Sequence, residues 1–272
     1  MRPHPTDDRS GTPADTAGVA RFGVRALLSV ATLALGAAAF LLLWLLVRRS
    51  WTPLQDLDDG VADDLNGLVS GSSAAVTALR AVTTLGNTST LVVAFVVLTV
   101  VLLVRGQRRL AVFTAATGLG VAVLVPLTKA LVDRARPALD APVVPLPPSA
   151  SFPSGHALGS LVAVTVVTLV VLPSVRRRAR PWVVALAALV VLAVGVSRLA
   201  LGVHFVSDVL AGWALGAAWV TLTAAAFRGW QRRSGTTSRE PLDPLEVAPD
   251  LTSGAAPDGP SEPADGRRRS LP

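Results

Sequence analysis

The stretch LAVFTAATGLGVAVLVPLTKALVDRARP, residues 110–137, decides how the chain is read. From Leu110 to Leu131 it is apolar except for Lys129. A bilayer-crossing helix needs about 20 mostly apolar residues, so this run predicts a span. Lys129 is itself unusual: of 25 basic side chains it is the only lysine, and every other positive charge is an arginine. An ionisable group near the end of a span is costly and by default suggests function. Arg136-Pro137 follows seven residues later.

Working outward, the same apolar pattern recurs. The protein is 51% hydrophobic with a mean hydropathy of +0.55, too apolar for an ordinary soluble domain. Runs from Ala26 to Val47, Thr90 to Val104, His156 to Leu172, Trp182 to Ser197 and His204 to Phe227 predict five further spans. The second of these six spans is short and is expected to reach back toward Leu85. The first is followed by Arg48-Arg49 without a small-residue cleavage site, so it is read as a retained anchor. The fold class expected is therefore all-α: a polytopic membrane protein with a six-transmembrane-helix bundle over residues 21–230. Polar tails over 1–20 and 231–272 are expected to be disordered.

Between the first two spans, Leu54, Leu57, Val61, Leu65 and Leu68 recur at three- and four-residue intervals. Asp56, Asp58, Asp59, Asp63 and Asp64 fall between them. This predicts an amphipathic helix on the membrane surface and a second short helix around Ala74 to Leu85, both peripheral and extracytoplasmic. Residues 134–155 carry Pro137, Pro142, Pro145, Pro147, Pro148 and Pro153 and are read as a loop.

Charge sets the orientation. Arg105, Arg108 and Arg109 follow span two; Arg176, Arg177, Arg178 and Arg180 follow span four; Arg228, Arg232 and Arg233 follow span six. Arginine-rich loops face the cytoplasm. Both termini are then cytoplasmic; the opposite loops hold Arg48, Arg49, Arg80 and Arg134 besides the motif residues, and Arg48-Arg49 run against this orientation. The net charge of +7 is accounted for in this way; the basic residues lie between spans rather than on one face, which disfavours a nucleic-acid partner. Cysteine is absent, so there is neither a disulfide framework nor a thiolate metal site. No obligatory protein partner is evident.

That topology brings distant polar residues to one extracytoplasmic end of the bundle. Lys129, Arg136 and Arg198 would gather three cations without a matching acid cluster, which suits a phosphate group. Pro153-Ser154-Gly155-His156 closes the Pro-rich loop and opens a helix whose N–H groups can face an anion. His156 is placed to transfer a proton. His204 and Asp208, four residues apart, share a helix face; the carboxylate would fix one ring nitrogen and free the other for attack. Gly212 and Gly216 make a small-residue face for helix packing. A metal ion is disfavoured, because three cations would repel it and no second carboxylate accompanies Asp208.

Lys129 with Arg136-Pro137, then Pro153-Ser154-Gly155-His156, then Ser197-Arg198 with His204 and Asp208, resembles the three-part signature of the type 2 phosphatidic acid phosphatase (PAP2) superfamily. This superfamily also includes the lipid phosphate phosphatases and the vanadium haloperoxidases. The resemblance covers about residues 26–228 and every signature position is matched. It implies that His204 attacks phosphorus and forms a phosphohistidine. Asp208 would orient His204, and His156 would protonate the leaving alkoxide and then activate water. Lys129, Arg136, Ser154, Gly155 and Arg198 would hold the phosphoryl oxygens. It implies a metal-independent phosphatase without cofactor, integral to the cell membrane. Its substrate would be a lipid phosphate or pyrophosphate: phosphatidic acid, phosphatidylglycerol phosphate or a polyprenyl (undecaprenyl-type) pyrophosphate. The alternatives are a lipid phosphotransferase using the same site, a haloperoxidase, disfavoured by six spans, and a non-catalytic anion or lipid transporter.

Overall fold

The computed structural model describes residues 13–139 and 142–233, and these contain helices but no strand. The helices are α1 (Pro13–Arg48), α2 (Thr52–Ser70), α3 (Ser73–Thr83), α4 (Thr88–Val104), α5 (Arg108–Val132), α6 (Gly155–Val171), α7 (Arg180–Ala200) and α8 (Val206–Arg233). Long apolar segments must form helices in a bilayer, where a backbone can satisfy its N–H and C=O groups only internally or in a closed barrel. α1 begins at Pro13 and α8 ends at Arg233, so residues 13–20 and 231–233, read as tail, are helical. The remainder of both expected tails lies outside the described residues.

Five segments are long and apolar enough to cross a membrane: Ala26–Arg48, Arg108–Val132, Gly155–Ser174, Arg177–Ala200 and Val206–Gln231. α4 has 17 residues and falls short of that length. Its connections nevertheless carry it along the bundle. The residues just before it, Thr83 and Asn87, bond Arg198 and His156 at one end. Just beyond it, the Arg109 guanidinium lies 5.8 Å from the Trp230 ring centroid at the other. At about 1.5 Å per residue, 17 residues give roughly 26 Å, close to the apolar thickness of a bilayer.

α6 is the central helix. It packs against α8, α7, α5 and α4, and Leu158, Val162 and Val166 are fully buried. Phe113, Val121, Val220 and Phe227 complete this core. α1 lies along α8 on the outside, and Leu27, Leu35 and Leu41 are exposed on it, as side chains that meet lipid would be. α2 and α3 form a pair bent by 119° beside the end of α7.

α2 follows the expected amphipathic pattern only in part: Leu54, Val61 and Leu65 are partly buried, but Leu57 and Leu68 are exposed and Asn66 is buried. Asp56, Asp59, Asp63 and Asp64 are exposed, but Asp58 is fully buried. On a helical wheel Asp58 falls inside the apolar stripe, one turn after Leu54 and one before Val61 and Ala62, so it points inward with them. α2 is thus docked on the bundle by a buried charge and is more than a surface elbow.

Gly212 and Gly216 do serve helix packing. A Cβ on Gly212 would lie 2.6 Å from the Ser154 carbonyl oxygen and 3.2 Å from the Leu158 nitrogen, both backbone atoms that cannot give way. Gly212→Val is therefore expected to push α8 off the start of α6 and to destabilise the protein by about 1–3 kcal/mol. Gly60→Ala, with nothing within 4 Å of its Cβ, is expected to be neutral or slightly stabilising. Thermal midpoints of the two variants in detergent check this contrast.

Candidate active site

The site is assembled at one end of the bundle by three chain reversals. α5 stops when Asp133 adopts a left-handed conformation (φ 46°) and returns its N–H to the Lys129 carbonyl. Residues 134–139 and 142–153 are without regular structure, and Ser154 caps α6. α7 ends at Ala200, and a tight turn through Gly202 (φ +66°) delivers His204 to the mouth of α8. Gly202 is needed twice over: only glycine takes that conformation cheaply, and a Cβ there would meet Leu139 Cδ1 at 2.1 Å.

His204 and Asp208 form the expected pair, but His204 lies in the turn before α8 and not on a helix face shared with Asp208. His204 Nδ1 lies 3.3 Å from Asp208 Oδ2, and His204 is 2% exposed. The Phe205 N–H donates to the same oxygen at 2.9 Å, and the Ser151 hydroxyl donates to it as well. With Nδ1 held, Nε2 is the free nitrogen, and Arg136 Nη1 stands 3.5 Å from it. Burial lowers the His204 pKa to about 4 against the opposing pull of Asp208; Arg136 and Arg198 add to the lowering. The ring is therefore neutral at pH 7 and Nε2 keeps its lone pair.

Lys129, Arg136 and Arg198 converge as expected, together with Gly155, His156 and His204, on one cavity of about 700 Å³. Among the described residues none of the three cations has a carboxylate within ion-pair distance. Their partners are neutral oxygens. Lys129 Nζ donates to the Ala150 carbonyl. Arg136 donates to the carbonyls of Ser149 (2.9 Å) and Val203 (2.6 Å). Burial lowers the Arg136 pKa from its ordinary value, and the Asp208 carboxylate opposes that shift. Arg198 donates from Nη1 to Thr83 Oγ1 at 2.8 Å, while its buried Nε has no hydrogen-bond partner among the described residues. Such a cluster is unneutralised positive charge with spare donors, the complement of a phosphoryl group.

His156 opens α6 on the cavity wall, where its Nε2 lies 2.8 Å from Asn87 Oδ1. Gly155 lets the helix start approach closely; a Cβ there would meet Val125 at 3.0 Å. Ser154 stands apart from the expected role. It is fully buried, its hydroxyl accepts from the Ala157 N–H, and it does not line the cavity. Its own N–H donates to the Asp208 carbonyl at 3.0 Å and ties α6 to α8.

Several site residues were not picked out from the sequence. The expectation that no second carboxylate accompanies Asp208 is corrected by Asp58. Arg134 bridges the two, with Nη1 on Asp208 Oδ1 and Nη2 on Asp58 Oδ2, both at 2.8 Å. Ser151, Thr83 and Asn87 also touch site residues. Asp58 had a signal in its helical-wheel position; the other three are common polar residues in loops or at helix ends and had none.

The depressed His204 pKa has a consequence for stability. The unfolded chain takes up a proton at His204 near pH 6.5, whereas the folded protein does so only near 4. Stability from this group is full above about pH 6.5 and is lost as pH falls toward 4. His204→Ala removes that component. Thermal midpoints of wild type and variant, measured from neutral pH down to about 4, should show the smaller acid decline in the variant. Parallel declines would mean that His204 is not held neutral.

Comparison with known proteins bears on the same residues. Residues 107–232 match the PAP2 superfamily. Over 91 residues the chain is 38% identical to phosphatidylglycerophosphatase B of Bacillus subtilis; this stretch is 32% of the chain and 43% of that relative, so the match spans less than half of the relative's length. The fold resembles the crystal structure of a transmembrane PAP2-type phosphatidylglycerolphosphate phosphatase from Bacillus subtilis. The TM-score is 0.61 at 25% identity, covering 73% of this chain and 96% of that one. The matched region runs from the start of α5 to the end of α8, contains Lys129, Arg136, His156, Arg198, His204 and Asp208, and marks this multi-pass, all-helical chain as the bearer of a PAP2 superfamily domain.

Proposed function

We propose that the protein is an integral-membrane phosphatase that hydrolyses the phosphomonoester of a lipid, or the terminal phosphate of a lipid pyrophosphate, through a phosphohistidine on His204. The observation that carries this reading is the two-ended cavity. One end is walled by Leu91, Val92, Phe95 and Leu119 from α4 and α5; the other holds Lys129, Arg136, His156, Arg198 and His204. An apolar tail between α4 and α5 would place its phosphate among the cations.

The chemistry then follows in two steps. The His204 Nε2 lone pair attacks phosphorus, the bond from phosphorus to the ester oxygen breaks, and His156 gives the departing alkoxide its proton. His156 then takes a proton from water, the hydroxide attacks phosphorus, and the N–P bond breaks to release inorganic phosphate and neutral His204. Lys129, Arg136, Arg198 and the α6 N–H groups near Gly155 would hold the three phosphoryl oxygens and offset their charge in the transition state. Asp208 would keep Nδ1 protonated so that Nε2 is the attacking atom. Of the lipids considered, phosphatidylglycerol phosphate ranks first, because both named relatives act on it by their names.

We also propose that this end of the bundle faces away from the cytoplasm. Arg105 and Arg176 to Arg178 lie in the connections at the opposite end, and Arg108 and Arg109 in the first turn of α5 there, as the charge rule requires. Of the arginines at the site end outside the cavity, Arg48 donates to the Leu131 carbonyl, Arg80 to the Val143 carbonyl, and Arg134 pairs with Asp58 and Asp208.

Two measurements test these proposals. The detergent-purified protein should release phosphate from phosphatidylglycerol phosphate, faster than from phosphatidic acid, a polyprenyl pyrophosphate or a soluble phosphomonoester. EDTA should have no effect and His204→Ala should abolish release. Turnover by folded His204→Ala would sink the phosphohistidine mechanism, and loss of the lipid's phosphate to an added alcohol as a new phosphoester, without inorganic phosphate, would indicate a phosphotransferase. For orientation, the chain has no cysteine of its own, so single cysteines report cleanly. In intact cells a membrane-impermeant maleimide should label Asp59→Cys and spare Gly106→Cys; the reverse pattern would invert the topology.

A further inference from the structure

The bent pair α2–α3 lies outside the matched region, yet one of its side chains reaches the reacting pair through two intermediates. Asp58 is fully buried and entirely committed. Its Oδ1 accepts from the Ser207 N–H at 2.9 Å, and its Oδ2 accepts from the Ser207 hydroxyl and from Arg134 Nη2 at 2.8 Å. Arg134 Nη1 in turn donates to Asp208 Oδ1 at 2.8 Å and to Ser207 Oγ at 2.7 Å. The guanidinium carbon sits 4.1 Å from the Phe205 ring centroid, so one face of the group is also occupied.

The two carboxylates divide the guanidinium between them. Arg134 spends one nitrogen on each, so it touches Asp208 at a single oxygen, Oδ1. Asp208 Oδ2 is thereby left to His204 Nδ1, the Phe205 N–H and the Ser151 hydroxyl. An arginine facing a lone carboxylate prefers to grip both oxygens with its fork. Without the Asp58 charge, Arg134 would be drawn onto Asp208 as such a fork, in competition with His204 for Oδ2.

We infer that Asp58 is a positioning residue for the reaction: by anchoring the far side of Arg134 it holds Asp208 in the orientation that fixes the His204 ring. This rests on the reading of His204 and Asp208 as the reacting pair. That reading fails if His204→Ala turns over; the present inference fails separately, on an enzyme whose His204→Ala form is dead. Asp58 touches no substrate and acts only through Arg134 and Ser207, so its loss affects attack on phosphorus and not the cation cluster that binds it.

The test is Asp58→Asn in the full-length protein, assayed on phosphatidylglycerol phosphate beside Asp59→Asn, an exposed acid on the same helix. Asp58→Asn should lower kcat by about 10–100-fold, as loss of an orienting partner commonly does, and leave KM near its wild-type value. Asp59→Asn should behave as wild type. Introduced into Asp208→Asn and followed by single turnover with excess enzyme, Asp58→Asn should cost no more than about 2-fold, because the orientation it maintains is already gone. A kcat within about 2-fold of wild type would overturn the inference. So would an equal loss on both backgrounds, or a loss expressed in KM alone. If Asp58→Asn does not fold, the double variant Asp58→Asn/Arg134→Gln, which removes both buried charges, is judged by the same kcat and KM criteria. Failure of that variant to fold as well would make Asp58 a structural residue and overturn the inference.

Discussion

The Asp208 carboxylate is the interaction on which the rest of this structure depends. It is fully buried, and it is satisfied by Arg134, Ser151, His204 and the Phe205 N–H. A buried carboxylate left without partners costs several kcal/mol, and breaking a buried ion pair typically costs about 3–5 kcal/mol. The chain must therefore bring the end of α5, the end of the Pro-rich loop and the turn before α8 to one point or forgo that stabilisation. The backbone of the same residue accepts the Ser154 N–H, which fixes the start of α6 and with it His156. One residue thus sets the positions of both histidines of the proposed reaction. Gly212, one turn further along α8, admits the Ser154 carbonyl to the closeness this requires.

Four of the cations at this end, Lys129, Arg134, Arg136 and Arg198, divide by the kind of oxygen they meet. Arg134 faces two carboxylates, and its charge is neutralised on the side of Asp208 away from the cavity. Lys129, Arg136 and Arg198 face carbonyls and the Ser149 and Thr83 hydroxyls. Carbonyl dipoles orient a cation without cancelling it, so the positive potential of these three remains directed into the cavity. Arg134 and Arg136 stand only two residues apart and belong to opposite classes. The difference arises because α2 offers a carboxylate to one side of the segment and none to the other.

What the sequence made legible follows from contrast. Lys129, Arg198, His204 and Asp208 stand out because they interrupt apolar segments, where a polar side chain is costly and must have a reason. Five spans were legible for the same reason; α4, expected as a sixth, has 17 residues and falls short of span length, although its flanking contacts lie at both ends of the bundle. Asp58 was hidden by the opposite circumstance. It sits among four other aspartates on a helix that looks ordinarily amphipathic, and only its angle on the wheel separates it from them. Thr83, Asn87 and Ser151 lie where polar residues are expected anyway. Ser154 shows a further limit: a hydroxyl beside a helix start can cap the helix or meet an anion, and the geometry here uses it as the cap.

The placement of the site at helix ends reconciles two demands that a span interior could not meet together. The proposed second step consumes water and releases phosphate, so the reacting atoms must lie where water and a free anion have access. The proposed substrate carries an apolar tail that is costly to lift out of the bilayer. A cavity that begins among the side chains of α4 and α5 and ends at Lys129 and His204 spans that boundary, so the phosphate can reach the cations while the tail stays at membrane depth. The outer face of α4 carries exposed Val93 and Val97, and its inner face contributes Phe95 to the cavity and against Gly118 of α5. The short helix thus stands between its exposed apolar face and the site.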